Sequence, residues 1–267
     1  MRKIFCTIMS LCSTLLAAQT ISSPDGKYVV TVDGMTYSVV YNNKVIIEPS
    51  QLGVDIDNRL FESALAVPRG IHENWCSDLV LTGQERWAAD TTWTPLYGEN
   101  ARIRDHYNQL TLHYEKGSKG YGSARQREYG QGTMAEGYDK RKFYAMDIVV
   151  RAYDEGIAFR YHFPETANSL FLHVKGEQTL FAMPAGTRAW YEEWAQGPYE
   201  LRPLSGNWFE SERPLLLVIP PGEDGRGATY VALLEAAMKD YTRGKFRLLK
   251  DNVLQVAMYD CADIISP

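Results

Sequence analysis

Cysteine is scarce in this chain, cations are outnumbered by anions, and no apolar run is long enough to hold a protein permanently in a bilayer. The one apolar stretch near the N-terminus, Ile4 to Leu16, follows Arg2 and Lys3 and ends in the small residues Ala17 and Ala18. That order is the pattern of a cleaved secretory signal, and the run falls short of the ~20 residues a spanning helix needs. Residues 1–18 are therefore expected to be removed, leaving residues 19–267 as one exported domain with no membrane segment. Removal leaves 26 of the 28 Lys and Arg against 33 Asp and Glu, a net charge of −7. Nucleic-acid binders concentrate Lys and Arg along one face. An acidic chain without a basic run is excluded from that class.

Of the four cysteines, only Cys76 and Cys261 follow the leader. In an oxidising compartment a bridge closing so long a loop would contribute about 4–5 kcal/mol in the chain-entropy picture. A domain of this length can bury a core without it, so both the paired and the free state stay open. Neither cysteine has a CxxC or Cys/His neighbour, and a structural zinc site is not indicated. The common catalytic templates are missing too: no GxSxG elbow, no HExxH, no P-loop and no GxGxxG after a strand. Plentiful carboxylates alone do not establish glycosidase chemistry.

What is present is β-structure. Most apolar segments repeat every second residue, and aromatic and β-branched residues are plentiful. Tyr28 to Val32, Thr36 to Tyr41 and Lys44 to Ile47 are short runs separated by Asp33-Gly34 and Asn42-Asn43, dipeptides that accept positive φ in tight hairpins. Later strand-like runs are Gln109 to Tyr114, Phe143 to Tyr153, Ile157 to Phe163, Ser169 to Val174, Leu215 to Ile219 and Val253 to Met258. The expected fold is all-β: two large packed antiparallel sheets. Val231 to Tyr241 is the one segment whose composition tolerates a helix, against a strand running into a loop. Gly117 to Gly137, rich in Gly, Ser, Arg and Tyr without an apolar period, reads as a long exposed loop.

Thr92 to Asn108 concentrates aromatics and charged groups in a region that otherwise reads as loop. Trp93, Glu99, Arg104 and His106 offer the aromatic face and planar hydrogen-bonding groups that a sugar ring requires. The same residues also read as core anchors (Trp93, Tyr107) and as a solvated pair between Arg104 and Glu99 or Asp105. The five histidines, His72, His106, His113, His162 and His173, show no metal-ligand spacing.

Five segments in order carry a specific resemblance: Ser23-Pro24-Asp25-Gly26-Lys27, Ile47 to Gly53, Trp93 to Gly98 continuing through His106-Tyr107-Asn108, Asp154 to Pro164, and Leu234 to Tyr241. Together they resemble the N-terminal domain of glycoside hydrolase family 97, a family of α-glucosidases and α-galactosidases. The resemblance implies a β-super-sandwich of the galactose-mutarotase-like type, packed against a (β/α)8 barrel that performs the chemistry. It also implies that the barrel begins after Ser266-Pro267, so that this chain alone is not catalytic. Further implications are an α-linked oligosaccharide as substrate, the periplasm as location, and a calcium ion ligated by one glutamate of the sandwich. The segment after Arg188-Ala189-Trp190 places that glutamate at Glu200, following Tyr199, with Glu193 ahead of Trp194 as the alternative. Here the sequence departs from the family, with Leu201-Arg202-Pro203-Leu204 where a tyrosine is usual. Two other readings remain: a standalone carbohydrate-binding module stacking sugars on Trp93, Tyr97 or Trp208, and a mutarotase-type epimerase, for which spacing singles out no acid and base.

Overall fold

In the computed structural model, which describes residues 18–56, 75–77, 79–116, 145–164, 172–222, 225, 227–236, 241–258 and 264–265, every regular element is a β-strand. The strands are β1 (Gln19–Ser22), β2 (Tyr28–Asp33), β3 (Thr36–Tyr41), β4 (Lys44–Gln51), β5 (Val54–Ile56), β6 (Leu79–Trp93) and β7 (Ile103–Lys116). There follow β8 (Ala145–Tyr153), β9 (Ile157–His162), β10 (Leu172–Glu177), β11 (Leu180–Ala182), β12 (Arg188–Tyr191) and β13 (Glu200–Pro203). The last five are β14 (Leu215–Ile219), β15 (Thr229–Leu233), β16 (Gly244–Lys250), β17 (Val253–Met258) and β18 (Ile264–Ile265). They form a seven-stranded sheet in the order β1-β2-β3-β4-β11-β17-β16, two four-stranded sheets, β6-β7-β8-β9 and β13-β12-β14-β15, and a three-stranded sheet, β18-β10-β5. All described pairings are antiparallel.

Turn chemistry explains the opening meander. Tyr41 pairs with Lys44 across Asn42 and Asn43, at φ 48° and 64°. Both positive values are what a two-residue turn matching the strand twist demands, and asparagine tolerates them better than most residues. Gly34, at φ 57°, follows Asp33 in the β2–β3 turn. Alternation then chooses the buried face: Val30, Val32, Tyr37 and Val39 point inward from β2 and β3, and Leu110, Leu112, Tyr114, Met146, Ile148, Val150 and Ala152 from β7 and β8.

These inward faces meet as a sandwich. The Tyr37 ring of the seven-stranded sheet lies 5.5 Å from Phe159 of β9 and 6.4 Å from Phe181 of β11, and Phe181 continues to Phe246 of β16 at 5.9 Å. Polar tips find backbone partners on the opposite sheet: Tyr114 Oη donates to the Gly34 carbonyl at 2.8 Å, and Asn108 Nδ2 to Ser22 at 2.9 Å. The buried Tyr114 phenol, left without such a partner, would cost free energy.

The described elements refine the sequence reading in three places. Val231 enters a strand, β15, so the helix-tolerant composition yields to sheet pairing with β14. Thr92 to Asn108 is the end of a long hairpin rather than loop throughout: β6 and β7 pair from Leu79↔Lys116 to Trp93↔Ile103. Residues 169–171 lie outside the described residues, and the strand expected at Ser169 to Val174 appears as Leu172–Glu177. The expected leader, the expected loop over 117–137, and Cys261 with its pairing also lie outside the described residues.

Candidate functional site

The β6–β7 hairpin outruns its sheet. Strand β8 pairs with β7 only from Tyr107 to Glu115, so residues 103–106 and their partners on β6 form a free two-stranded arm. Its turn carries Leu96, 99% exposed, and Tyr97, 90% exposed, beside the exposed Glu99, with Trp93 half-exposed at the strand end. Trp93 is therefore no core anchor, whereas Tyr107, where the arm joins the sheet, is buried.

Pairing register decides which candidates share a face. Trp93 lies opposite Ile103, Thr92 opposite Arg104, and Asp90 opposite His106. Opposed residues share a face and neighbours alternate. Arg104 and His106 thus stand on one face and Trp93 on the other. Arg104 grips Asp90 through Nε at 2.7 Å and Nη2 at 2.8 Å, a cross-strand fork in place of the expected partners Glu99 or Asp105. That fork holds the Asp90 carboxyl below the usual carboxylate range. Both groups are exposed, so the pair steers geometry more than it stabilises. His106 Nδ1 sits 3.3 Å from Asp154 Oδ2, while Asp154 Oδ1 accepts the Asp25 backbone N–H at 2.8 Å. Among the described residues no hydrogen bond reaches that buried Nδ1, so the contact places the arm's base beside the β8–β9 turn without tying it there.

Glu200 belongs to a different sheet. It opens β13, an edge strand, opposite Tyr191 of β12. Arg202 reaches its Oε2 through Nε at 2.8 Å and Nη2 at 2.5 Å, and the guanidinium lies 4.3 Å above the Tyr191 ring. Both bonds fall on Oε2, so Oε1 remains for a further electrophilic partner. The loop between Tyr191 and Glu200 is moored from beneath. Lys245, buried, pairs with buried Glu212 at 3.0 Å, donates to the Glu193 carbonyl at 3.2 Å and lies 5.0 Å from the Trp194 ring. Glu192, also buried, takes a hydrogen bond from Tyr199 that pushes the Tyr199 phenol up. Among the described residues no three His, Cys, Asp or Glu converge on a cation position. Calcium takes six to eight oxygens, more than Glu200 and its neighbours among the described residues supply.

One constellation escaped sequence reasoning. On the outer face of the β6–β9 sheet, Asp147 accepts from His113 Nδ1 at 2.7 Å and from His162 Nδ1 at 3.0 Å. A carboxylate only accepts, so both Nδ1 atoms are the donors, and His113 Nε2 lies 3.8 Å from Glu85 Oε1 of β6. Counting outward from the Asp154-Glu155-Gly156 turn does place Asp147 opposite His162, as β8–β9 pairing has it. His113 had no such signal, because β7 and β8 are joined by residues 117–144 and the register across them cannot be counted.

Comparison with known proteins gives a consistent picture. The family model described as "Glycosyl-hydrolase 97 N-terminal" matches residues 21–259. A retaining alpha-galactosidase of Bacteroides thetaiotaomicron is 26% identical over 163 residues, covering 59% of this chain and 18% of that protein. A glycoside hydrolase family 97 enzyme from Pseudoalteromonas sp. strain K8, solved in complex with panose, superposes with TM-score 0.67 at 19% identity over 92% of this chain and 34% of its own. A beta-arabinopyranosidase crystal structure superposes with TM-score 0.68 at 22% identity, over 93% and 38% respectively. The superpositions show the shared β-sandwich fold. This chain spans little more than a third of these solved proteins and under a fifth of the curated relative.

Proposed function

Because the chain belongs to the glycosyl-hydrolase 97 N-terminal family, we propose that it is the N-terminal sandwich domain of an exported, calcium-dependent α-glycosidase. In this reading the domain forms one wall of the active site, and a following (β/α)8 barrel supplies the catalytic carboxylates. The observation that carries the reading is the family match over residues 21–259, together with the small share of the relatives' length that the chain covers. The substrate is an α-linked oligosaccharide of glucose or galactose. Export follows from the leader over residues 1–18, and the periplasm is the compartment.

Within this reading Glu200 has one task. Its Oε1 joins the calcium shell while Arg202 holds Oε2, which fixes the direction of the remaining lone pairs. Tyr191, beneath the guanidinium, keeps Arg202 from swinging away. The arm bearing Trp93, Glu99, Arg104 and His106 is the sugar-facing element, with Trp93 and Tyr97 as apolar surfaces and the Arg104–Asp90 fork keeping the ribbon stiff. Calcium itself supplies Lewis acidity and charge balance for clustered carboxylates.

The test uses the parent enzyme and its Glu200→Gln and Glu193→Gln variants, with calcium affinity measured by calorimetry alongside hydrolysis of aryl α-glucosides and α-galactosides. Glu200→Gln is expected to weaken calcium binding about tenfold or more, with excess calcium restoring part of the activity, as second-sphere and ligand losses do at metal sites. Loss with Glu193→Gln and none with Glu200→Gln moves the ligand to Glu193. If neither changes, the metal role of this domain is withdrawn. Hydrolysis by the chain without a barrel, abolished by mutating one of its own carboxylates, overturns the division of labour.

A further inference from the structure

We propose that the outer face of the β6–β9 sheet is a second saccharide site, separate from the arm and from Glu200, that takes an uncharged oligosaccharide. Four strands present this face in aligned rows. Trp87, Gln109 and Arg151 lie side by side in one row, and His113, Asp147 and His162 in another, by the pairings Trp87↔Gln109↔Arg151 and His113↔Asp147↔His162. Between them runs the row Glu85, Thr111, Val149 and Arg160, whose ends are exposed while Thr111 and Val149, like Asp147 beside them, are buried at the floor of the face. Trp87 is 65% exposed, on a strand that buries nothing around it.

Three features point to a neutral sugar rather than an ion or an apolar partner. The first is charge: over these rows two carboxylates, Glu85 and Asp147, face two guanidiniums, Arg151 and Arg160, so no field of one sign selects an ion. The second is the donor and acceptor set. A pyranose edge is a line of hydroxyls that each donate and accept, and planar amide, guanidinium, imidazole and carboxylate groups match such an edge. Here they are held in place beforehand. Gln109 Oε1 accepts from Arg151 Nε at 2.8 Å, Gln109 Nε2 donates to Thr111 at 3.2 Å, and the Arg151 guanidinium lies 4.2 Å from the Tyr107 ring. Asp147 fixes both imidazoles through Nδ1, and Glu85 stands 3.8 Å from His113 Nε2. Groups fixed in advance lose little freedom on binding.

The third feature is the platform. The C–H face of a pyranose is apolar and lies flat on an indole, and Trp87 offers that surface directly beside Gln109. Opposite His113 the sheet has Gly83, where an added Cβ would lie 3.4 Å from the imidazole, and Glu85 Oε1 of the same strand lies 3.8 Å from His113 Nε2. None of these residues belongs to the arm's tip or to the β12–β13 loop. The proposal therefore does not depend on the calcium reading, nor on which glycosidic bond the parent enzyme cleaves.

The test is native electrophoresis of the full chain in gels containing soluble starch, pullulan or galactomannan, with alginate as a charged control. The chain is expected to be retarded by at least one neutral polysaccharide, and Trp87→Ala to weaken that interaction about tenfold, as loss of a central tryptophan anchor does. Trp87→Phe should keep most of it. Trp87 is exposed, so thermal unfolding of Trp87→Ala should coincide with that of the parent chain, separating lost binding from lost fold. Unretarded migration in all three neutral gels overturns the proposal. So does stronger retardation by alginate, and so does retardation that survives Trp87→Ala but is lost in Tyr97→Ala, which would move the sugar to the arm.

Discussion

Replacing Lys245 by methionine probes the mooring under the Glu193–Glu200 loop. The ammonium is 4% exposed and its partner carboxylate, Glu212, 7%, at a separation of 3.0 Å. Removing one partner of a buried pair leaves the other desolvated without compensation, which costs about 3–5 kcal/mol. Arg243 also pairs with Glu212, from a half-exposed position, and offsets part of the loss. The expectation is accordingly the low end, about 3 kcal/mol. For a domain this size, with a urea slope near 3 kcal/mol per molar, the unfolding midpoint falls by about 1 M. Because an apolar pair of similar volume is often neutral in place of a buried ion pair, Lys245→Met with Glu212→Leu should recover most of the loss. Since either single substitution strands the other buried charge, the double-mutant cycle then shows a coupling of about 3 kcal/mol or more. A single-variant cost below about 1 kcal/mol, or two additive substitutions, would refute the claim that this pair is closed to water.

Two further outcomes follow from the same structure. Burial pushes the Glu177 carboxyl up, against hydrogen bonds from Thr179 and Tyr241 that lower it. The folded chain thus holds a proton that the unfolded chain releases, and stability falls as pH rises from the ordinary glutamate range through the raised value. Glu177→Gln should gain urea midpoint relative to the parent chain at pH 8 and not at pH 4; equal differences at both would refute this. Gly53 sits at φ 142°, where an added Cβ would lie 2.5 Å from Cys76 Sγ and 2.6 Å from the Trp75 carbonyl. Gly53→Ala should destabilise by more than about 1 kcal/mol in the same assay, and a neutral result would mean that this approach relaxes freely.

How much of the molecule could be read from its sequence depended on burial. Strands β2, β3, β8, β14 and β17 each bury one face or both, and their alternating or continuous apolar runs announce them. Strand β6 buries almost nothing, so Leu79 to Trp93 mixes polar and apolar residues without a period and gives no strand signal. Strands β12 and β13, four residues each, are too short for any window to detect. The five-segment resemblance supplied what periodicity could not, placing the arm in a known family. Arg104 and His106 were legible as residue types. Their partners, Asp90 and Asp154, were not, because both contacts are long-range consequences of register.

The residues hardest to read are the ones the proposed functions use, and for a physical reason. A carboxylate that is to bind a cation, or a tryptophan that is to stack on sugar, must stay outside the core, so it contributes nothing to the alternation by which strands are recognised. Glu200 stands on an edge strand, Trp93 on an arm that has outrun its neighbour, and Trp87 on the solvent face of β6. What stands against each of them is a near neighbour in the sheet: Arg202 two residues along from Glu200, Ile103 opposite Trp93, and Gln109 opposite Trp87. Substituting these supports should therefore alter binding through geometry while the exposed residues remain untouched. That separates positioning from contact in a way that mutating the exposed residues alone does not.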